Sequence, residues 1–172
     1  MTMSTRTRTI LTYGQPILRQ AARPVHSIDG ELQQRIDEMV ETMYAAPGVG
    51  LAANQVGSPH RVFVANPSED HDPSKLLVVI NPELVESEGE IIAEEGCLSI
   101  PDMREEVRRA RRVLLQAVDR TGRPIQVVGQ DLLARIFQHE LDHLNGVLFV
   151  DRLSPAKRDI LSRKLKKAFR DR

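Results

Sequence analysis

One stretch constrains this chain more than any other: Gln138-His139-Glu140-Leu141-Asp142-His143, inside the run from Asp131 to Gly146. Around it Leu132, Leu133, Ile136, Phe137, Leu141 and Leu144 recur at three- and four-residue intervals, the period of a helix with one apolar face. Asp131 is the expected N-cap and Gly146 the expected stop. Each helical residue turns by about 100°, so His139 and His143 lie within roughly 40° of each other, and Glu140 within about 60° of His143. Two imidazoles and a carboxylate then face one point in space, the arrangement of a divalent metal beside a general base.

Two histidines do not complete such a site, because a catalytic metal usually takes three protein ligands and keeps one position open. Cys97, the only cysteine, lies in Glu94-Glu95-Gly96-Cys97-Leu98-Ser99, and its thiolate is the candidate third ligand. The bland reading of a lone thiol is a small buried hydrophobe. A third segment, Gly48-Val49-Gly50-Leu51-Ala52-Ala53-Asn54-Gln55, reads as a short glycine-rich loop. Its glycines allow positive φ and close approach to a ligand, and Gln55 becomes a fixed amide donor at the edge of a pocket. No Gly-Lys-Ser/Thr follows, so it is not a phosphate loop.

The three segments, Gly48–Gln55, Glu95–Ser99 and Gln138–Gly146, resemble in their order the signature motifs of the peptide deformylases. The likeness covers essentially the whole chain, including Tyr13–Arg19 and Cys97–Arg104. Two positions depart from the family pattern. Asn54 stands where Pro or Thr is more usual, and Arg135 stands where an apolar pocket residue is common, a change expected to alter the pocket rim without touching the chemistry.

In this reading Cys97, His139 and His143 hold a metal that lowers the pKa of a water towards neutrality. Glu140 takes the proton and later passes it to the leaving amine. Charge building on the attacked carbonyl oxygen is met by the metal, the Gln55 amide and the Leu98 backbone N–H. Ligand types alone lead to Zn²⁺. The resemblance implies Fe²⁺ instead, with Zn²⁺, Ni²⁺ or Co²⁺ as substitutes, and activity that fades in air. It also implies the substrate, the N-formylmethionine of a nascent peptide, with formate and a free amino terminus as products. Val49, Ile100, Leu132 and Ile136 are candidates for an apolar methionine pocket, Gly50 for backbone bonds to the peptide, and Arg104 for a rim contact. Glu95 and Arg109 are candidates for an ion pair close behind the site.

The rest of the chain supplies a frame. Leu32, Ile36, Met39, Val40 and Met43 mark one stripe of a helix capped by Ser27 or Asp29 and ended by Pro47-Gly48. Pro16–Ala22 reads as a short helical turn. Short β-branched runs follow at Arg61–Ala65 and Leu76–Ile80, the second closed by Asn81-Pro82, and then at Glu88–Ala93, Val113–Val118 and Pro124–Val128. Strands first and a central helix afterwards predict an α+β domain, with a mainly antiparallel sheet wrapped around the metal helix. Pro155–Arg172 reads as an amphipathic helix with Ile160, Leu161, Leu165, Ala168 and Phe169 on its apolar face. Its other face carries Lys157, Arg158, Arg163, Lys164, Lys166, Lys167 and Arg170, a solvated surface or a transient contact with the ribosome.

At 172 residues the chain fits one domain, 1–172, with the basic helix as part of it. Its zero formal charge argues against a nucleic-acid-binding domain, and DNA is not an expected partner. No apolar run approaches the ~20 residues a membrane span needs. Met1–Thr9 is polar and lacks the apolar core of a secretory signal. That start is acid-poor and bears arginine, so organelle import stays open, with the cytoplasm as the default. A metallopeptidase and a noncatalytic metal module remain alternatives; the first is disfavoured by the Cys97 and Gly50–Gln55 segments, and the second calls for a fourth protein ligand.

Overall fold

The computed structural model describes residues 6–170. The reading of Met1–Thr9 therefore lies partly outside the described residues. After a 3-10 turn at Pro16–Arg19 comes helix α1 (Gly30–Ala45), whose N-cap Asp29 accepts the Leu32 N–H at 2.9 Å. Strands β1 (Gly50–Ala52), β2 (Val62–Ala65) and β3 (Leu77–Glu88) follow, then the hairpin β4 (Ile91–Cys97) and β5 (Ile100–Arg109). Strands β6 (Arg112–Val118) and β7 (Pro124–Gln130) lead into helix α2 (Leu132–Leu144), and the described chain ends in α3 (Pro155–Arg170). All strand pairings are antiparallel, in a five-stranded sheet ordered β1-β2-β3-β6-β7 and the two-stranded β4-β5 sheet. This is the α+β class expected from the order of the runs.

At β1, β2 and the start of β3 the sheet is covered on both sides, and side-chain alternation assigns each strand residue to a side. Ala52, Phe63, Ala65 and Val79 pack with Ile136, Phe137, Leu141 and Leu144 of α2. Their neighbours Leu51, Val62, Val64 and Ile80 pack with Leu32, Ile36, Met39 and Met43 of α1. Burial on both faces is why β2 reads as a continuous apolar run rather than an alternating one. A third cluster joins Ile100 and Val107 of β5 to Phe149, Leu161 and Leu165, so α3 is docked under the hairpin.

Several expectations change. Asn81-Pro82 does not close β3, which continues to Glu88 across a register shift between Ile80 and Glu83. Asn81 adopts φ 52° there and its side chain brackets Val25, accepting its N–H and donating to its carbonyl, both at 2.8 Å. Such an irregularity accommodates Pro82, which has no N–H for the ladder. Asp131 has φ 53° and makes no capping bond; its carboxylate meets Arg111 at 3.1 Å. On α3 only Leu161 and Leu165 are buried, while Ile160 is 56% exposed. The glycine-rich segment is not a loop throughout, because Gly50–Ala52 forms the edge strand β1 and Ala53–Val56 a 3-10 turn. Neither Gly48 nor Gly50 has positive φ. Glycine is required at 50 by contact instead, since a Cβ there would lie 2.7 Å from Glu140 Oε1. Gly146, at φ 76°, closes α2 as expected.

Candidate metal centre and catalytic pocket

Cys97 ends β4 and pairs with Ile100 across the two-residue turn Leu98-Ser99. The register slips between Gly96 and Cys97, and Asp102 takes φ 65° inside the resulting bulge. Bulges re-aim side chains near functional sites. Here the thiol is brought to the histidine face of α2. One ligand atom from each of Cys97, His139 and His143 lies within 4.8 Å of the others, and Cys97 Sγ is 3.3 Å from His143 Nε2. Among the described residues this cluster stops at three.

The donor set fits a soft or borderline divalent cation. Burial, together with the charges of His139 and Arg109, pushes His143 well below the usual histidine range, which keeps the ring neutral as a ligand must be. At His139 burial works the other way from its neighbours, but Cys97, Glu95 and Glu140 outweigh it and raise the ring well above that range. The surroundings thus favour positive charge at this point. His139 Nδ1 lies 2.9 Å from Glu95 Oε1, which leaves Nε2 to ligate.

A network of charged side chains stands behind the ligands. Burial alone would raise the Glu95 pKa, but Arg109 and His139 more than offset it and hold it at about 2. Arg109 gives Glu95 two bonds of 2.9 Å and a third, 2.6 Å, to Asp142, which takes Arg152 at 3.0 and 2.7 Å. The Glu95–Arg109 pair expected from opposite charge is present. Arg135 differs from its expectation. It is buried, and its Nη2 donates to Ala93 O at 2.8 Å and Glu95 Oε2 at 3.0 Å. It therefore touches the carboxylate that orients a ligand, as well as lining the pocket.

Glu140 is 4% exposed, its Oε2 has no partner, and burial first of all raises its pKa to about 7. Gln55 is 1% exposed; its Oε1 accepts the Ala52 N–H at 2.9 Å, and Nε2 donates to Ser99 Oγ at 3.0 Å. Nε2 also lies 3.8 Å from Cys97 Sγ, so a donor hydrogen faces the metal side. These groups open onto a cavity of about 650 Å³. All six residues proposed for substrate, Val49, Gly50, Ile100, Arg104, Leu132 and Ile136, line it, as do Gln55, Cys97, Leu98, His139 and Glu140. Ile100 and Ile136 are buried in its floor, whereas Val49 and Leu132 are exposed at its mouth. His143 lies behind the wall.

Sequence reasoning missed Met103 and Asp102 on the wall, Ser99 as the Gln55 acceptor, and Asn54, whose Nδ2 holds the His143 carbonyl at 2.6 Å. Met103 shares a face with Pro101 and Glu105 and alternates with Asp102 and Arg104 along β5, a signal that could have placed it; the Asn54 contact spans 89 residues and leaves no local trace.

A family model described as polypeptide deformylase matches residues 7–159. Peptide deformylase of Chromobacterium violaceum is 51% identical over 158 residues, 92% of this chain and 93% of that protein. That of Thermodesulfovibrio yellowstonii is 45% identical over 157 residues, 91% and 95% of the two chains. The crystal structure of a peptide deformylase from Legionella pneumophila superposes with a TM-score of 0.87 at 47% identity, covering 95% of this chain and 96% of that one. One from Ehrlichia chaffeensis in complex with actinonin gives 0.87 at 35% identity, covering 96% and 99%.

Proposed function

The chain belongs to the polypeptide deformylase family, and from that premise we propose that it removes the formyl group from the N-terminal N-formylmethionine of nascent polypeptides and releases formate. It is a hydrolase. The reading is carried by one observation: Cys97 and His139, with His143 behind them, converge beside buried Glu140 on the wall of a single cavity.

Cys97, His139 and His143 would hold Fe²⁺, with Zn²⁺, Ni²⁺ or Co²⁺ as substitutes, and the ion supplies Lewis acidity when bound. Glu140 takes a proton from the attacking water as its oxygen bonds to the formyl carbon. It returns that proton to the amine nitrogen as the carbon–nitrogen bond breaks, so formate and a free amino terminus leave. A pKa near 7 suits a group that must both accept and release a proton at neutral pH. The Gln55 Nε2–H and the Leu98 N–H meet the charge on the carbonyl oxygen.

Ile100 and Ile136 receive the methionine side chain, with Val49 and Leu132 closing over it. Gly50 lies on β1, whose outer edge is unpaired in the sheet, and an extended peptide can bond to such an edge. Arg104 meets the peptide further along. Residues 1–172 act as one catalytic domain in the cytoplasm; no described helix is long and apolar enough to cross a membrane. The exposed cations of α3 make a transient contact with the ribosome. Leu161 and Leu165 are buried, so reversing Lys164 and Lys167 to Glu, rather than removing the helix, tests that contact; unchanged ribosome association would refute it.

The deciding experiment is formate release from formyl-Met-Ala by Fe²⁺-loaded protein, beside unformylated peptides. Release from the formyl peptide alone is expected. Cleavage of internal peptide bonds would favour the metallopeptidase reading instead.

A further inference from the structure

The Gln55 side chain is held from two elements that have no covalent reason to stay in step. Its own turn, Ala53–Val56, is a four-residue 3-10 segment, and its amide acceptor Ser99 belongs to the turn between β4 and β5, in the other sheet. Short 3-10 segments have weak internal hydrogen bonding, so the orientation of Gln55 depends on outside support. The segment before the first turn supplies it. The Leu11 N–H donates to Gln55 O at 2.7 Å, and the Tyr13 N–H donates to Ser99 O at 2.9 Å. One short stretch of chain thus fixes the main chains of the donor residue and of its side-chain partner relative to each other.

The stretch is itself anchored at both ends. Upstream, the Arg8 N–H donates to Thr42 Oγ1 at 2.8 Å and Arg8 Nε to Glu38 Oε2 at 2.6 Å, both acceptors being buried residues of α1. Downstream, Tyr13 packs against the cluster of Ile100, Phe149 and Leu165, with its ring 6.1 Å from that of Phe169. None of residues 8–13 lines the cavity.

We propose that residues 8–13 are a positioning strap for the Gln55 amide, with the Leu11 and Tyr13 N–H groups as positioning groups and the Arg8 contacts as their anchor. The inference rests on the donor role of Gln55 and predicts a specific pattern of kinetics. Loosening the strap lowers kcat, because the donor drifts from where charge develops, and leaves KM nearly unchanged, because Gln55 is the lining residue the strap holds and it has no assigned part in binding the methionine side chain or the peptide.

The test is a double-mutant cycle on metal-loaded protein with formyl-Met-Ala. Leu11→Pro removes one N–H outright, and Arg8→Ala with Thr42→Val releases the anchor while both strap N–H groups remain. Either is expected to lower kcat by roughly 10-fold or more, since small misplacements of a catalytic group are costly. In a Gln55→Ala background the same changes should have almost no further effect on kcat, while each still lowers Tm. Equal losses of kcat with and without Gln55 overturn the strap, as does a loss confined to Tm. A Gln55→Ala protein as active as its parent instead overturns the donor role itself, a failure distinct from that of the strap.

Discussion

Glu95 Oε1 lies 2.9 Å from His139 Nδ1, and the same carboxylate receives Arg109 in a two-pronged bond and Arg135 in a third. The proton on His139 is thereby directed to Nδ1, and the other ring nitrogen is left as a ligand. Replacing Glu95 by Gln removes the charge that makes this arrangement stable. Metal affinity is expected to fall about 10–100-fold, the usual cost of losing such a partner. Competition with a chelator, followed by metal analysis, measures it directly.

The same carboxylate makes acid stability predictable. Its folded pKa is held near 2, below the ordinary 4.5, so its stabilising contribution is complete above about pH 4.5 and is lost as pH falls towards 2. A shift of that size corresponds to about 3 kcal/mol. Urea unfolding of metal-free protein at falling pH should show a loss of this order. Glu95→Gln, already destabilised because Arg109 keeps only the Asp142 carboxylate and Arg135 only the Ala93 carbonyl, should show a flatter acid limb.

Gly50 and Glu140 are coupled through space rather than through a bond. An added Cβ at 50 would lie 2.7 Å from Glu140 Oε1 and 3.0 Å from its Cγ, yet the backbone at 50 is one that alanine can adopt. Gly50→Ala should therefore fold and bind metal but push the base aside, lowering kcat by about 10²-fold. Glu140→Ala should cost about 10²–10⁴. The two losses should not add, because both remove the same group; stopped assays of formate release on the double variant check this.

Much of this was legible in the chain, and the reasons are local. The 3.6-residue period of Leu133–Leu144, the Asp29 cap and the cysteine-histidine pattern all depend on neighbours in sequence. What was not legible depends on distant partners. The Asn81-Pro82 bulge forms because Val25 and Arg61 cross there, and the edge strand at Gly50 exists only because β2 lies beside it. Arg135 was misjudged for the same reason: its acceptors lie 42 and 40 residues away on β4, and nothing adjacent to it announces them.

Arg135 also separates two kinds of buried cation. Its Nη2 serves Ala93 and Glu95, but its Nη1 is buried without a partner, and its pKa is lowered chiefly by burial. Arg135→Leu loses charge-assisted bonds worth about 1.5–3 kcal/mol and relieves an unpaired donor costing about 1–3 kcal/mol. Those two nearly cancel, and because Arg135 lines an open cavity the smaller side chain leaves no sealed void. Stability should change by no more than about 1 kcal/mol. Arg109 has no such relief, since its guanidinium bonds go to Glu95 and Asp142, both of which Arg109→Leu would leave short of charge in the interior. That substitution should cost about 3–5 kcal/mol. Denaturant midpoints of the two variants, measured on metal-free protein, compare the predictions: a loss at Arg135 as large as that at Arg109 would show that Nη1 is satisfied in solution and that the cancellation does not occur.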